Sequence, residues 1–243
     1  MRIDVYLSKA GLVSSRTEAQ RFIDDGAVTV NGALVKKPSL EVDGTEDILL
    51  DKSKKEFVSR GGIKLKGALM QFKVNVDGRL CLDVGASSGG FTDCLLQSGA
   101  KHVIAVDSGS GQLAESLRLD TRVTSIENYN ARYMKPADLE YTPDFAVMDV
   151  SFISATYIIP AVFETLADGG DFICLIKPQF EVGRSGLGKG GIVKDSKVRD
   201  SAVKKVTDFA LDVGFVLKGI MQSSIKGGDG NIEFLAHFVK QRV

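Results

Sequence analysis

The segment Leu80–Asp93, reading LCLDVGASSGGFTD, constrains the fold more than any other part of this chain. A short apolar run ends at Asp83, a turn of glycine, alanine and serine follows, and a helical pattern opens near Gly90. Strand, small-residue loop and helix in that order build the pocket at the carboxyl end of the first strand of a doubly wound α/β sheet. Gly85, Gly89 and Gly90 let the backbone approach a ligand where a Cβ would block it. A second apolar run, His102–Val106, leads into Asp107. An acid roughly 20 residues beyond the loop accepts hydrogen bonds from ribose hydroxyls, and Asp107 stands at that spacing from Gly85. This half of the chain is therefore expected to bind a nucleoside-containing cofactor.

Three readings compete for the loop. A dinucleotide site prefers G-x-G-x-x-G, and Ser87 stands where the second glycine belongs. Gly85-Ala-Ser87-Ser-Gly89 also matches the G-x-S-x-G nucleophile elbow, and a triad of Ser87, Asp149 and His237 can be written in the right order. His237, however, lies in an apolar run instead of a loop, and no H-G-G oxyanion segment is present. S-adenosylmethionine needs an acid at the first strand end, a small-residue loop and a second acid for the ribose. Asp83, the loop with Gly85, Ser87 and Gly89, and Asp107 supply all three. A turn without a ligand would not call for so many small residues beside two strand-end acids.

At 243 residues the chain has room for one large domain, or a small one and a medium one, and 44% apolar residues are enough for a core. Net charge is zero, so overall charge points to no partner. Charge is uneven locally: residues 51–66 carry six Lys/Arg against two acids, and residues 177–205 carry eight against three, patches that a polyanion would feel. Cys81, Cys94 and Cys174 form no C-x-x-C, and two histidines without ligand spacing argue against structural zinc. The start of the chain is no signal peptide. The longest uncharged run, Val150–Phe163, falls short of the roughly 20 residues that a bilayer span takes. A cytoplasmic protein without a membrane segment is expected.

The polar stretch at 51–58 reads as a linker between two domains, 1–50 and 59–243. In the first, Ile3, Leu7 and Ala10 mark a helix stopping at Gly11. Ser15 and Glu18 form a capping-box pattern for a second helix, to about Asp24, which Gly26 ends. Val28–Val30 and Leu34–Val35 flank Asn31-Gly32, a type I′ hairpin signal, and Asp47–Leu50 offers a third strand. Arg2-Ile-Asp4, Ser14-Ser-Arg16, Ala19, Gly26 and Val28-x-Val-Asn-Gly32 resemble the S4-type RNA-binding domain across nearly all of residues 1–50. Lys9, Arg16 and Arg21 would then meet RNA phosphates from one face of two packed helices. A helical hairpin for protein contact is the alternative for that face.

Beyond the linker, a helix over 61–72 precedes strand-like runs at 80–84, 102–106, 122–126, 143–148, 171–176, 215–221 and 232–239, mostly separated by helical segments. Such alternation predicts an α/β fold, a mainly parallel seven-stranded sheet with helices on both faces. The short connection 223–231 makes the last two strands an antiparallel hairpin, as in class I methyltransferases. Asp149 follows the fourth run and Lys177 the fifth; Glu233 opens the last, and Lys64 sits on the first helix. An isolated buried ammonium is costly, so a lysine after an apolar run either lines a site or snorkels to the surface. Asp149-Val-Ser-Phe is not the D/N-P-P-Y/F of amino-group methyltransferases, and Cys174 lies inside its strand, unlike a cytosine-C5 nucleophile.

These features resemble the FtsJ-like 2′-O-ribose methyltransferases. With the first domain, and with Val58-Ser-Arg60-Gly-Gly-Ile-Lys-Leu65, Ile176-Lys-Pro-Gln-Phe-Glu181 and Gly190-Gly-Ile-Val193, the whole chain resembles the TlyA family. The resemblance implies a Lys-Asp-Lys-Glu tetrad on Lys64, Asp149, Lys177 and Glu233, and S-adenosylmethionine as cofactor, with Asn130 beside the adenine. It also implies 2′-O-methylation of cytidine in ribosomal RNA. The family has a longer form acting on both ribosomal subunits and a shorter one acting on the large subunit. This chain begins at the first helix of its first domain, which favours the shorter form and the large subunit. The family is often labelled haemolysin, yet nothing in the sequence supports a membrane-lysing mechanism; an RNA-binding module without activity is the other alternative. Oligomeric state is not legible.

Lys177 is the candidate general base, partly neutral through burial and the neighbouring Lys64 cation, with Asp149 and Glu233 orienting the two lysines. Gly183–Gly190 nearly matches the phosphate-binding G-x-x-x-x-G-K-[S/T], but Gly190 replaces the hydroxyl residue that magnesium needs. A loop closing over RNA is expected there, with Arg184 and Lys189 meeting phosphates, and Arg60 joins them from the segment before the first helix.

Overall fold

The computed structural model describes residues 1–13, 15–24, 26–51, 56–183 and 186–241, without the side chains of Arg21 and Asp24. It divides into two compact units, Met1–Ser59 and Arg60–Val243.

In the first unit, α1 (Ile3–Lys9) and α2 (Arg16–Asp24) pack through Ile3, Leu7, Ala19 and Phe22. The backbone N–H of Glu18 donates to Ser15 Oγ at 3.2 Å. That bond satisfies one of the open N–H groups at the helix start, as the capping pattern requires. A three-stranded antiparallel sheet follows, with β1 (Val28–Val30) between β2 (Ala33–Leu34) and β3 (Ile48–Leu50). Asn31 and Gly32 have φ of 49° and 77°. This is the left-handed pair that a type I′ turn demands.

The second unit opens with α3 (Gly61–Phe72). Its strands are β4 (Leu80–Val84), β5 (His102–Val106), β6 (Val123–Ile126), β7 (Phe145–Met148), β8 (Asp171–Ile176), β9 (Phe215–Gln222) and β10 (Phe234–Lys240). They form one sheet in the order β6-β5-β4-β7-β8-β10-β9. All neighbours are parallel except β10, which runs antiparallel to both β8 and β9. The helices α4 (Gly90–Gln97), α5 (Glu115–Arg118), α6 (Ile159–Thr165), α7 (Pro178–Glu181) and α8 (Ser196–Val213) connect the strands. Leu82, Val84, Ile104, Val106 and Phe172 join α6 and α8 in one fully apolar core. Alternation along β4 turns Asp83 the other way, where it takes a hydrogen bond from Thr92 of α4.

Polar groups hold the amino ends of the central strands together. Arg79 Nε donates to Asp144 Oδ1 at 3.0 Å and its Nη1 to Asp171 Oδ2 at 2.7 Å, while its Nη2 meets the Asp144 carbonyl. A ring nitrogen of His237 lies 2.7 Å from Asp171 Oδ1. His237 therefore belongs to the end of the sheet opposite Asp149, and Ser87 Oγ bonds to Gln112 at 3.1 Å. The Ser87-Asp149-His237 triad is not assembled. Several strand ends shift by one or two residues from those expected: β2 is Ala33–Leu34, β6 begins at Val123, β7 at Phe145 and β10 at Phe234, so Glu233 lies one residue ahead of the strand it was expected to open.

Candidate active site

A cavity of about 430 Å³ opens at the carboxyl ends of β4, β5 and β7. That volume is within the roughly 300–1,000 Å³ of small-molecule sites. Gly85, Ser87, Asp107, Asn130, Asp149 and Ser151 are on its wall. Gly85 has φ 85°, and a Cβ there would meet the Asp149 carbonyl oxygen at 2.5 Å. Glycine thus lets the loop after β4 lie against the end of β7. Asp107 organises the opposite wall. Its Oδ2 accepts the Ser87 N–H and its Oδ1 the Gly109 N–H, both at 2.7 Å. Asn130 Oδ1 accepts the Arg132 N–H at 3.1 Å and so begins a short 3-10 turn beside the cavity.

Two residues expected at the cofactor stand behind this wall. Gly89, the N-cap of α4, packs where a Cβ would meet Leu117 at 2.2 Å. Asp83 is fully buried: its Oδ2 takes the Thr92 hydroxyl at 2.7 Å, and its Oδ1 has no hydrogen-bond partner among the described residues. Burial pushes its carboxyl up to about 7; the Thr92 bond opposes this, and the charges of Asp149 and Asp107 add to it. Asp83 therefore lies beneath the loop and is not part of the cavity wall.

The four tetrad residues form two ion pairs. Lys64 Nζ, on α3, lies 2.6 Å from Glu233 Oε2, and both residues are buried. Lys177 Nζ lies 2.6 Å from Asp149 Oδ1, off the hydrogen-bond axis, and donates to Ser151 Oγ at 2.7 Å. Neighbouring parallel strands β7 and β8 bring Asp149 and Lys177 to one edge. Phe234 pairs with Ile176 across β10 and β8, which sets Glu233 level with Lys177. A Cβ on Gly227 would meet Glu233 Oε1 at 2.4 Å, so glycine leaves the room that carboxylate occupies.

Several features had no counterpart in the sequence reading. Phe152 is 92% exposed, has φ 64°, lines the cavity and packs 5.2 Å from Phe180. A bulky residue in the left-handed region is costly and rare, and such strain gathers at functional sites. Glu181, buried, accepts the Ala155 N–H at 2.7 Å and the Ser154 hydroxyl at 2.5 Å, and pairs with Lys205 at 3.1 Å. It thereby fixes the far end of the loop that carries Ser151 and Phe152.

The expected RNA contacts are scattered over both units. Lys9 and Lys189 are exposed, and Arg60 stands at the N-cap position of α3 without a side-chain capping bond. Arg16 is not a free cation: its Nε donates to Asp4 Oδ2 at 2.9 Å, where Arg2 and Gln20 also donate. Burial opposes the charge of Asp4, but these three partners hold its carboxyl well below the usual range. Arg21 lies on α2 with its side chain outside the described atoms, and Arg184 lies outside the described residues.

Residues 57–240 match the FtsJ-like methyltransferase family and residues 1–48 the S4 domain. The chain is 43% identical to hemolysin A of Brachyspira hyodysenteriae, over 98% of this chain and 100% of that one. It is 42% identical to the 16S/23S rRNA (cytidine-2′-O)-methyltransferase TlyA of Mycobacterium tuberculosis, over 96% of this chain and 87% of that one. A solved structure from Streptococcus thermophilus, described as a hemolysin, superposes with TM-score 0.79 at 47% identity, covering 99% of this chain and 88% of that one. No helix among the described residues is long and apolar enough to cross a membrane. By its matched domains and its near end-to-end identity to these relatives, the chain belongs to the FtsJ-like methyltransferases, in the TlyA family that joins an S4 domain to that fold.

Proposed function

We propose that this protein transfers a methyl group from S-adenosylmethionine to the 2′-hydroxyl of a cytidine in ribosomal RNA, with the large-subunit RNA as substrate and the cytoplasmic ribosome as its place of work. The observation that carries the reading is the placement of Lys177 between Asp149 and Ser151, both of which line the cofactor cavity. The residues present fit that cofactor. Asp107 and Asp149 bring carboxylates to the strand ends, which suits a sulfonium and an ammonium. Gly85 and Ser87 leave a close backbone approach, while Asp107 and Asn130 offer side-chain oxygens towards ribose and adenine. When bound, S-adenosylmethionine supplies an electrophilic methyl.

The chain's own residues must then deal with the acceptor. A ribose hydroxyl is a weak nucleophile until its proton leaves. Lys177, as the amine, takes that proton, and Asp149 balances the ammonium that forms. Lys64 and Glu233 keep a second charge pair level with Lys177, buried and neutral overall. Much of the rate comes from holding hydroxyl and methyl in line. Phe152 offers an exposed ring at the cavity mouth on which a base extruded from the RNA can stack. Lys9, Arg16, Arg60 and Lys189 meet phosphates, with Asp4 orienting Arg16.

Single-turnover transfer of labelled methyl to each ribosomal subunit tests this, with the modified ribose mapped by resistance to alkaline cleavage. The expected result is one resistant cytidine in the large-subunit RNA and a loss of at least roughly a hundredfold in Lys177→Ala with cofactor affinity kept. Methyl found on a base, or full activity in Lys177→Ala, refutes the reading. Absence of any transfer by the native protein would leave an RNA-binding module.

A further inference from the structure

The Asp149-Lys177 pair leaves one requirement of the chemistry unmet. A lysine that removes a proton must aim its lone pair at the hydroxyl, and a charge partner alone does not aim it. Asp149 Oδ1 sits 2.6 Å from Nζ yet receives no hydrogen bond in acceptable geometry. The pair attracts strongly as opposite charges, while the carboxylate oxygen lies outside the angular range of a hydrogen bond from Nζ. The Phe180 ring has its centroid 6.0 Å from Nζ. It adds attraction for a cation and no direction. Among the described residues, Ser151 Oγ is the acceptor that Nζ meets as a hydrogen bond, at 2.7 Å.

We propose that Ser151 is a positioning residue for the transfer step: its hydroxyl oxygen holds one N–H of Lys177 and so turns the remaining valence of Nζ towards the cavity that both residues border. The proposal rests on the reading of Lys177 as the base. Three observations support it. Ser151 is exposed and lines the cofactor cavity, whereas the Lys177 side chain is only 11% exposed, so the hydroxyl stands on the side from which substrate must come. The loop that carries Ser151 is fixed at both ends. Asp149 N–H donates to the Val84 carbonyl at 2.9 Å, and Glu181 holds Ser154 and Ala155. Phe152, the next residue, takes a left-handed φ of 64°. The loop carries that energetic cost while Ser151 keeps its place beside Nζ. As the proton moves from the ribose hydroxyl to Nζ, nitrogen gains an N–H bond and the oxygen gains the bonding pair. Ser151 then accepts from an ammonium instead of an amine, and hydrogen bonds to charged groups are the stronger ones.

The test compares Ser151→Ala, Ser151→Thr and Lys177→Ala in the full chain, by single-turnover methyl transfer to ribosomal RNA at saturating cofactor. Calorimetry with S-adenosylhomocysteine and RNA binding are measured on each. Losing a hydrogen bond to a charged group predicts a rate in Ser151→Ala about tenfold to a hundredfold down, with cofactor and RNA affinities within about twofold of native. Ser151→Thr keeps the acceptor oxygen and should recover most of the rate. Adding Ser151→Ala to Lys177→Ala should cost nothing further, since the two act as one unit. A Ser151→Ala rate within twofold of native overturns the proposal, as does a loss that Ser151→Thr does not rescue or one that appears as weaker cofactor binding. If Lys177→Ala is itself fully active, the base assignment has failed. If Lys177→Ala is inactive and Ser151→Ala is normal, only the role of Ser151 has failed.

Discussion

Asp83→Asn should abolish a large part of the pH dependence of folding stability. The carboxyl is fully buried, one oxygen has no hydrogen-bond partner among the described residues, and burial lifts it from its ordinary 3.8 to about 7. A group whose folded pKa is raised contributes stability that is fully present below its unfolded pKa and is lost as pH rises through the folded one. The native protein should therefore weaken from about pH 4 to about pH 7. The rise from 3.8 to about 7 sets the size of the effect. Each pKa unit is worth about 1.4 kcal/mol, which gives a total of about 4 kcal/mol. Asparagine has nearly the same volume and an oxygen for the Thr92 hydroxyl, but no proton to lose. The assay is urea unfolding of native and variant at pH 5 and pH 8, with the stability difference taken at each pH so that other titrating groups cancel. Between those two pH values the variant should gain about 3 kcal/mol relative to native, because part of the loss is already complete at pH 5. Two parallel pH profiles would refute the reasoning and mean that Asp83 is ionised in the fold, with an unobserved partner at its second oxygen.

Further outcomes follow from the same contacts. Phe152→Ala should raise the KM for RNA by roughly tenfold, about the value of one stacked base, while calorimetry shows unchanged cofactor affinity; equal loss in both would remove its stacking role. Glu181→Ala leaves the Ser154 hydroxyl and the Ala155 N–H without their acceptor, while the half-exposed Lys205 keeps the backbone carbonyl of residue 181. The substitution should lower stability by about 2 kcal/mol in denaturant unfolding, whereas a loss below about 0.5 kcal/mol would show that these two bonds are not structural. Deleting residues 1–52 should leave cofactor binding intact and greatly weaken binding to ribosomal RNA with a shallower salt dependence; undiminished methylation by the truncated chain would show that the first unit does not target the enzyme.

Much of this protein was legible in local sequence because the signals are local. Asn31-Gly32 must turn left-handed, Ser15 caps its helix through a bond three residues on, and the apolar runs separated by small-residue loops could only alternate strand with helix. The short 223–231 connection required an antiparallel final pair, and β9 and β10 form it. What packs over each position is not legible in this way. Asp83 stands next to the last residue of β4 and Gly89 at the N-cap of α4, but whether a group there faces a cavity or the helix above depends on the pleat and on what packs over it. Thr92 and Leu117 decided that. Arg16 reads as a free cation in sequence, and only the packing of α1 on α2 sets it beside the buried carboxylate of Asp4.

Backbone preferences and hydrophobic periods act over a few residues, so the elements, the mainly parallel sheet and the edge at which chemistry gathers can be read along the chain. Tertiary structure decided which groups touch there. Lys64 finds Glu233 across 169 residues, and Lys177 finds Ser151 across 26. Those distances are set by strand register and by layers of buried side chains filling the space between helices. Neither is encoded in any single stretch of chain; both follow from the apolar surface of the whole unit being removed from water at once.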